Sequence, residues 1–79
     1  MALCQVTVYD ATGAPWTLEV EAASLYSAIF AYNAEQVAGS NREYPRLEPD
    51  TEIHVRLTDG LTYRTTFGTA QRWANRRIR

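Results

Sequence analysis

The side chains that could carry chemistry in this 79-residue sequence are few and scattered. His54 is the only histidine and Cys4 the only cysteine. A histidine that acts as a general base or metal ligand needs partners, and the sequence has no second histidine and no carboxylate at a motif-like spacing. Cys4 shares strand parity with Val6 and Val8, which predicts an inward, unreactive thiol. The sequence therefore predicts a non-enzymatic protein with no catalytic residue, no metal site and no cofactor.

The C-terminal segment QRWANRRIR is the strongest candidate for binding chemistry. At helical spacing, Arg72, Arg76 and Arg79 share one face, and Trp73 lies at its edge. Guanidinium groups bind phosphates and an aromatic ring can stack on a base, so these four residues are a candidate nucleic-acid contact. The helix macrodipole also favours cations in a last turn, which gives the same arginines a purely structural role.

Length and composition limit the kind of domain that can hold these residues. A domain of this size buries only about 60% of the surface that its unfolded chain exposes, so a partner chain would add stability. A single cysteine excludes an internal disulfide and fits a reducing compartment. The N-terminus lacks a basic start and a long apolar run, and no stretch approaches the roughly 20 apolar residues of a membrane span. We expect a cytoplasmic protein without membrane contact.

Alternating apolar and polar residues predict two β-hairpins. Each is expected to turn through three residues that end in a glycine of left-handed conformation, Ala11-Thr12-Gly13 and Thr58-Asp59-Gly60. A two-residue Asp59-Gly60 turn would instead set apolar residues opposite polar ones. The register that follows places these apolar pairs on one face: Cys4 with Val20, Val6 with Leu18, Val8 with Trp16, Val55 with Tyr63 and Leu57 with Leu61. The fourth strand is expected to run from Leu61 to Phe67.

Each hairpin is followed by a helical pattern. The first helix is expected between an N-cap at Ser24 and a stop at Gly39, and the second from about Thr69. Two ββα units, residues 3–38 and 53–79, are thus joined by a polar linker, 39–52, that could form a mobile flap anchored by Tyr44 and Leu47. The predicted fold is α+β, a single domain over residues 1–79 in the order ββαββα, with a four-stranded antiparallel sheet and two helices on one face.

Charge is distributed unevenly along the chain. Residues 1–52 carry two arginines and eight acids (2 − 8 = −6), and residues 53–79 carry six arginines and one acid (6 − 1 = +5), which together give the −1 of the whole chain. The asymmetry suits either a charged partner or two halves that neutralise each other. We favour the second and expect an acid–arginine pair to bridge the two hairpins on the polar face of the sheet.

The first helix, SLYSAIFAYNAEQVA (24–38), has one charged residue, Glu35, and more apolar surface than a single contact needs. The stripe expected to contact the sheet contains Leu25, Ala28, Ile29, Tyr32 and Gln36. A second stripe contains Tyr26, Phe30 and Val37. A third contains only small side chains, Ser27, Ala31, Ala34 and Ala38.

Two arrangements could cover the second and third stripes. Trp73 of the second helix could pack on Tyr26 or Phe30 within the chain, or a second chain could pack there. The second helix offers too few apolar residues to cover its own sheet contact and two further stripes. We therefore favour a homo-oligomer, most simply a two-fold dimer, with those seven residues as its interface.

The run LEVEAASLYSA (18–28), followed late in the chain by Arg72-Trp73, resembles a group of short bacterial proteins of unassigned function that share a "VEV-x-A-x-SLYEA" signature and a late Arg-Trp. This sequence has Ser27 where the signature has Glu. Similar small proteins occur in mobile gene cassettes. The resemblance implies a cytosolic bacterial protein and supplies no activity, cofactor or site.

The sequence thus predicts a small oligomerising protein-interaction module that binds itself first and then a protein partner. Two alternatives stay open. A nucleic-acid-binding protein would use Arg72, Trp73, Arg76 and Arg79. A small-molecule binder or enzyme would build an aromatic pocket between chains from Tyr26, Tyr32 and Trp73.

Overall fold

The computed structural model describes residues 2–38 and 43–77. They form β1 (Ala2–Tyr9), β2 (Pro15–Ala22), α1 (Leu25–Val37), β3 (Glu52–Arg56), β4 (Thr62–Thr66) and α2 (Phe67–Arg77). The strands make one antiparallel sheet in the order β2-β1-β3-β4. The predicted ββαββα fold is confirmed, and β2 and β4 are the edge strands.

The first hairpin (β1 and β2) and the second hairpin (β3 and β4) close through the same kind of loop. In each loop the glycine N–H donates to the carbonyl three residues earlier, at 2.9 Å for Gly13 and 3.0 Å for Gly60. Both glycines have positive φ, 85° and 88°, a conformation in which an L side chain is strained. The predicted registers are confirmed: Cys4 with Val20, Val6 with Leu18, Val8 with Trp16, and Val55 with Tyr63.

One apolar core lies between the sheet and the two helices. The centre of the sheet joins the hairpins, since Val6 lies opposite Val55 and Val8 opposite Ile53. The largest fully buried side chains are Tyr32, Ile29, Ile53, Val6, Val8 and Val55. Phe67 and Ala70 of α2 are buried in the same cluster, so both helices pack on one face of the sheet. The core is small, as expected for a chain of this length.

The first helix follows the sequence prediction. Ser24 is its N-cap, with extended backbone and an Oγ that accepts the Ser27 N–H at 3.3 Å. Ala38 caps the other end, and the predicted stop at Gly39 lies outside the described residues. The expected sheet-facing stripe is confirmed, because Ala28, Ile29, Tyr32 and Gln36 are buried and Leu25 is half-buried.

The second helix begins earlier than predicted. Phe67, expected as the end of the fourth strand, is the first residue of α2. The cause is a cap directly after β4, where Thr66 Oγ1 accepts the Thr69 N–H at 3.3 Å. The Phe67 side chain is only 8% exposed and its ring lies 6.1 Å from that of Phe30. The alternation of apolar and polar residues continues through Phe67, one residue past the cap, and for this reason it predicts Phe67 as part of the strand.

The linker between α1 and β3 is held against the core where it is described. The two expected anchors, Tyr44 and Leu47, both pack on the core. Pro49 C=O accepts the Gly68 N–H at 2.8 Å, which fixes the linker to the start of α2. The described part of the linker, residues 43–51, thus contacts the fold at these three points, and residues 39–42 lie outside the described part of the chain. The mobile flap stays a prediction.

Candidate interaction surfaces

The interface predicted on α1 is partly covered by α2. The Tyr26 ring packs on Trp73 with centroids 5.1 Å apart, and the Phe30 ring contacts Phe67. Tyr26 and Phe30 are both half-buried. Contact within the chain, the alternative that we did not favour, therefore accounts for part of the aromatic stripe. Val37 of that stripe is 66% exposed.

The small-residue stripe divides in a similar way. Ser27 and Ala31 are half-buried, whereas Ala34 and Ala38 are exposed. The uncovered part of α1 is consequently its C-terminal half, where Val37 lies between two alanines. This surface offers one sizeable apolar side chain, and the homo-oligomer interface at α1 stays a prediction.

The exposed face of α2 carries the arginines that suggested nucleic-acid binding. Arg72 and Arg76 are exposed, and an Arg72 guanidinium N–H donates to Thr69 Oγ1 at 3.1 Å. Arg72 also lines an open groove of about 470 Å³, whose other walls include Phe30, Pro49, Gly68, Gln71 and Asn75. Arg79 lies outside the described residues, and the Trp73 ring is already packed on Tyr26. Of the four residues predicted to contact nucleic acid, the described part of the chain thus leaves Arg72 and Arg76 as exposed candidates.

The aromatic pocket expected between chains cannot include Tyr32. Its side chain is fully buried, and its hydroxyl donates to Pro45 C=O at 2.7 Å. Burial, with the neighbouring Tyr44, raises the pKa of Tyr32 above its ordinary range, so the hydroxyl remains a donor. That expectation is wrong because Tyr32 faces the sheet, where it fastens the linker to the core.

The face of the sheet opposite the helices carries a polar cluster that the sequence analysis missed. His54 Nε2 lies 2.9 Å from Glu52 Oε1, and Arg64 Nε lies 3.5 Å from the same oxygen. The Tyr9 ring meets the imidazole edge to face, with centroids 5.4 Å apart. The His54 hydrogen bond, followed by the Arg64 charge, lowers the pKa of Glu52. The missed signal is simple, since residues two apart on a strand share a face.

The prediction that an acid–arginine pair bridges the two hairpins is wrong. The pair that forms, Glu52 with Arg64, lies within the second hairpin. Across residues 2–38 and 43–77, no acid–arginine pair joins the two hairpins. The reason is the strand order. Gln5 of β1 lies between Glu19 of β2 and Arg56 of β3, so the acid and the arginine are two strand spacings apart, about 10 Å.

The edge of the sheet at β2 is blunted. In an antiparallel ladder, alternate residues direct their N–H and C=O away from the neighbouring strand. Pro15 has no N–H to offer, and Thr17 C=O accepts the Tyr44 hydroxyl at 3.3 Å. The next two outward positions, Glu19 and Glu21, carry exposed carboxylates. Charge, proline and covering side chains are the usual protections of an edge strand.

The edge at β4 has fewer of these protections: Arg64 supplies one exposed charge, but the strand contains no proline and no side chain of the described residues covers it. Thr62, Tyr63 and Arg64 are exposed, and within the described residues no hydrogen bond reaches the outward backbone groups of Thr62 or Arg64. Leu61 and Tyr63, expected to face the core, are 56% and 39% exposed. They lie on the helix side of the sheet, but α1 packs on β2, β1 and β3, and α2 leaves β4 at its far end. The β4 edge (residues 61–65) is therefore open and partly apolar.

Two further features bear on function. Within the described residues, no three His, Cys, Asp or Glu side chains are grouped so that they could hold a metal ion. Of the described helices, neither α1 with 13 residues nor α2 with 11 has the length and apolar character to cross a membrane.

Comparison of the chain with known protein families, with curated proteins and with solved structures finds no match.

Proposed function

We propose that this protein is a non-enzymatic interaction module whose first partner is a second copy of itself. The observation that carries the proposal is the open β4 edge, with Leu61 and Tyr63 exposed beside unpaired backbone groups. Open edges are templates for pairing with another chain, and most proteins blunt them. The contrast with the blunted β2 edge supports a role for this one.

The size of the core supports the same proposal. The largest fully buried side chains among the described residues are one tyrosine, two isoleucines and three valines, and a chain of this length is marginally stable by itself. Association that covers Leu61 and Tyr63 would stabilise the fold through additional apolar burial. The buried, unpaired Cys4 is compatible with the cytoplasmic setting that we propose for it.

The test of self-association is the mass in solution. We expect light scattering after size exclusion, and sedimentation equilibrium from micromolar to submillimolar concentration, to give twice the 9.0 kDa chain mass. The melting temperature should also rise with protein concentration, because binding to the native state stabilises it. A mass of one chain throughout that range would refute the proposal.

Nucleic-acid binding through α2 is the competing proposal, supported by exposure of Arg72 and Arg76 on the same helix. Titration of labelled single-stranded DNA and RNA at two salt concentrations separates the two. Binding that weakens steeply with salt and is lost in Arg72→Ala and Arg76→Ala would favour this alternative. We expect no such binding.

A further inference from the structure

We infer that two copies of this chain pair through their β4 edges, antiparallel and about a two-fold axis, so that two four-stranded sheets become one continuous sheet. The inference rests on the proposed self-association and names the surface and register that produce it. The partner is therefore a second copy of this chain, and the contact residues are those of the β4 edge.

The hydrogen-bonding pattern of the second hairpin determines what the edge offers. Leu57 N–H donates to Leu61 C=O at 3.0 Å, so the pair formed by these two residues is hydrogen-bonded. Because such pairs alternate along an antiparallel ladder, Tyr63 and Thr65 also turn their backbone groups towards β3. Thr62 and Arg64 then direct their N–H and C=O groups outward. Two copies related by a two-fold axis present the same pattern to each other.

Only one register of the two strands satisfies both their backbone and their side chains. Centring the pairing on Arg64 sets two like charges directly opposite, which is destabilising. Centring it on Thr65 sets Tyr63 opposite Phe67, which has already entered α2. Centring it on Thr62 engages Gly60, which belongs to the turn.

The remaining register is centred on Tyr63. Thr62 of each copy then exchanges backbone hydrogen bonds with Arg64 of the other, which gives two fully bonded pairs. Tyr63 lies opposite its own copy in a non-hydrogen-bonded pair, where side chains approach most closely. Leu61 lies opposite Thr65 of the partner, on the same helix side of the sheet.

This register also covers the exposed apolar side chains. Tyr63 and Leu61, 39% and 56% exposed in the single chain, would lie in one cross-strand cluster at the dimer centre. Aromatic cross-strand pairs stabilise a sheet. On the opposite face, Arg64 would lie beside Thr62 of the partner and keep its 3.5 Å contact with Glu52. No charge is buried by the contact.

The assembly would close at two copies. After β4 pairs with β4, the outer edges are two β2 strands, in which Pro15 lacks an N–H and Thr17 C=O is held by Tyr44. Pairing those edges would also bring the carboxylates of Glu19 and Glu21 together. An isologous contact with blunted outer edges forms a closed dimer and not a fibre.

A disulfide cross-link tests the register directly. In a non-hydrogen-bonded antiparallel pair, Cα atoms lie about 4.5 Å apart, within the range that a disulfide bridges. The native Cys4 is buried, so Tyr63→Cys introduces one accessible thiol. We expect Tyr63→Cys to form a covalent dimer under mild oxidation. Leu61→Cys is the matched control, because residue 61 and its copy lie four positions apart, about 13 Å. It should remain a single chain on a non-reducing gel.

A second variant tests the backbone bonds. Thr62 is the first residue of β4 and its N–H points away from β3, so Thr62→Pro removes a dimer donor and leaves the ladder to β3 intact. We expect the dimer dissociation constant to rise about tenfold or more, with unchanged circular dichroism. Thr62→Val keeps the N–H and should dimerise like the wild type.

The outcomes separate this inference from the proposed function. A dimer in which Val37→Cys cross-links and Tyr63→Cys does not would place the contact on α1, which overturns the β4 pairing and leaves self-association standing. Undiminished dimerisation of Thr62→Pro, or growth beyond two copies through β4 and β2, would overturn it as well. A wild type that is monomeric throughout would refute both.

Discussion

The first and second hairpins turn through the same kind of three-residue loop, each ending in a glycine with positive φ. They differ in how many hydrogen bonds and packing contacts the rest of the chain makes with them. In the first, Asp10 Oδ1 accepts from Thr12 N–H at 2.9 Å, from the Thr12 hydroxyl at 2.6 Å and from Ala14 N–H at 3.0 Å. Asp10 Oδ2 accepts from Trp16 Nε1 at 3.0 Å. In the second, the one hydrogen bond to the Asp59 carboxylate from the described residues comes from the Leu61 N–H, at 2.9 Å. The first loop is tied to its own strand, whereas the second has little beyond its turn.

The outer edges of the hairpins differ in the same direction. Tyr44, which comes from the linker 27 positions away, places its hydroxyl on Thr17 and its ring 5.2 Å from Trp16. No comparable side chain within the described residues covers β4. Loop geometry therefore determines register, but it does not determine whether an edge is closed. That depends on segments distant in sequence, and for β4 we propose a second chain.

Removal of the two edge tyrosines should break this comparison most clearly. Tyr44→Ala removes ring contacts with Trp16 and Tyr32 and uncovers the β2 edge, so we expect a loss of about 2 kcal/mol, less than a fully buried aromatic because Tyr44 is half-buried. Tyr63→Ala, measured in the Thr62→Pro background at a concentration where that variant is a single chain, should lose less than about 1 kcal/mol. Urea unfolding at low protein concentration measures both. Equal losses would mean that the second hairpin is as well covered as the first.

Substitution of Asp10 and Asp59, the aspartates at the two turns, should change stability by a smaller amount than the tyrosine substitutions. The difference between the two aspartates should depend on pH. The Thr12 hydroxyl, the Trp16 indole and the Ala14 N–H hold the pKa of Asp10 well below its ordinary range. Because the folded pKa lies below the unfolded one, the ionised carboxylate stabilises the fold above the unfolded pKa of about 3.9. This stabilisation is lost as pH falls through the folded pKa.

Asp10→Asn would therefore lower the melting temperature at neutral pH, since an amide NH₂ turned towards the Trp16 indole opposes one donor with another. The deficit relative to the wild type should shrink in strong acid. Asp59→Asn keeps an oxygen for the Leu61 N–H and is the matched control, with a melting temperature close to that of the wild type. Thermal melts followed by circular dichroism across the acid range give both differences. A deficit independent of pH would mean that the Asp10 charge contributes nothing.

Local patterns predicted the parts of this fold that depend on neighbours in sequence. The alternation of apolar residues and the position of Gly13 and Gly60 are sufficient for both registers, because a one-residue slip turns every side chain over. The pairing of Glu52 with His54 was accessible from the same alternation and was missed. The start of α2 at Phe67 depended on a Thr66 cap that alternation conceals.

The candidate surface depends on information that local patterns lack. Exposure of Leu61 and Tyr63 follows from the strand order, which makes β4 an edge, and from where α1 and α2 lie across the sheet. Coverage of Tyr26 by Trp73 follows from the same placement. Periodicity indicates which face of a strand or helix is apolar, but it does not indicate what finally packs against that face. For this reason the sequence placed surplus apolar surface on α1, and the structure adds the β4 edge.

The smallest expected difference in lost stability is between alanine substitutions at the two loop glycines. Equal losses would show that the loops themselves do not cause the difference between the hairpins. Gly13 and Gly60 have φ of 85° and 88°, and a Cβ added to either would meet nothing within 4 Å. Alanine at either position thus adds backbone strain alone, about 1 kcal/mol, with no collision to relieve.

We expect Gly13→Ala and Gly60→Ala, each in the Thr62→Pro background at a concentration where that variant is a single chain, to lose the same stability within a few tenths of a kcal/mol. Urea unfolding of the two variants side by side checks this. Matching losses would show that the loops contribute alike, so that any larger difference between the hairpins comes from Asp10 and Tyr44 on one side and the open β4 edge on the other. A clearly smaller loss for Gly60→Ala would mean that the second loop relaxes, and that the open edge is accompanied by a loop less constrained than its geometry indicates.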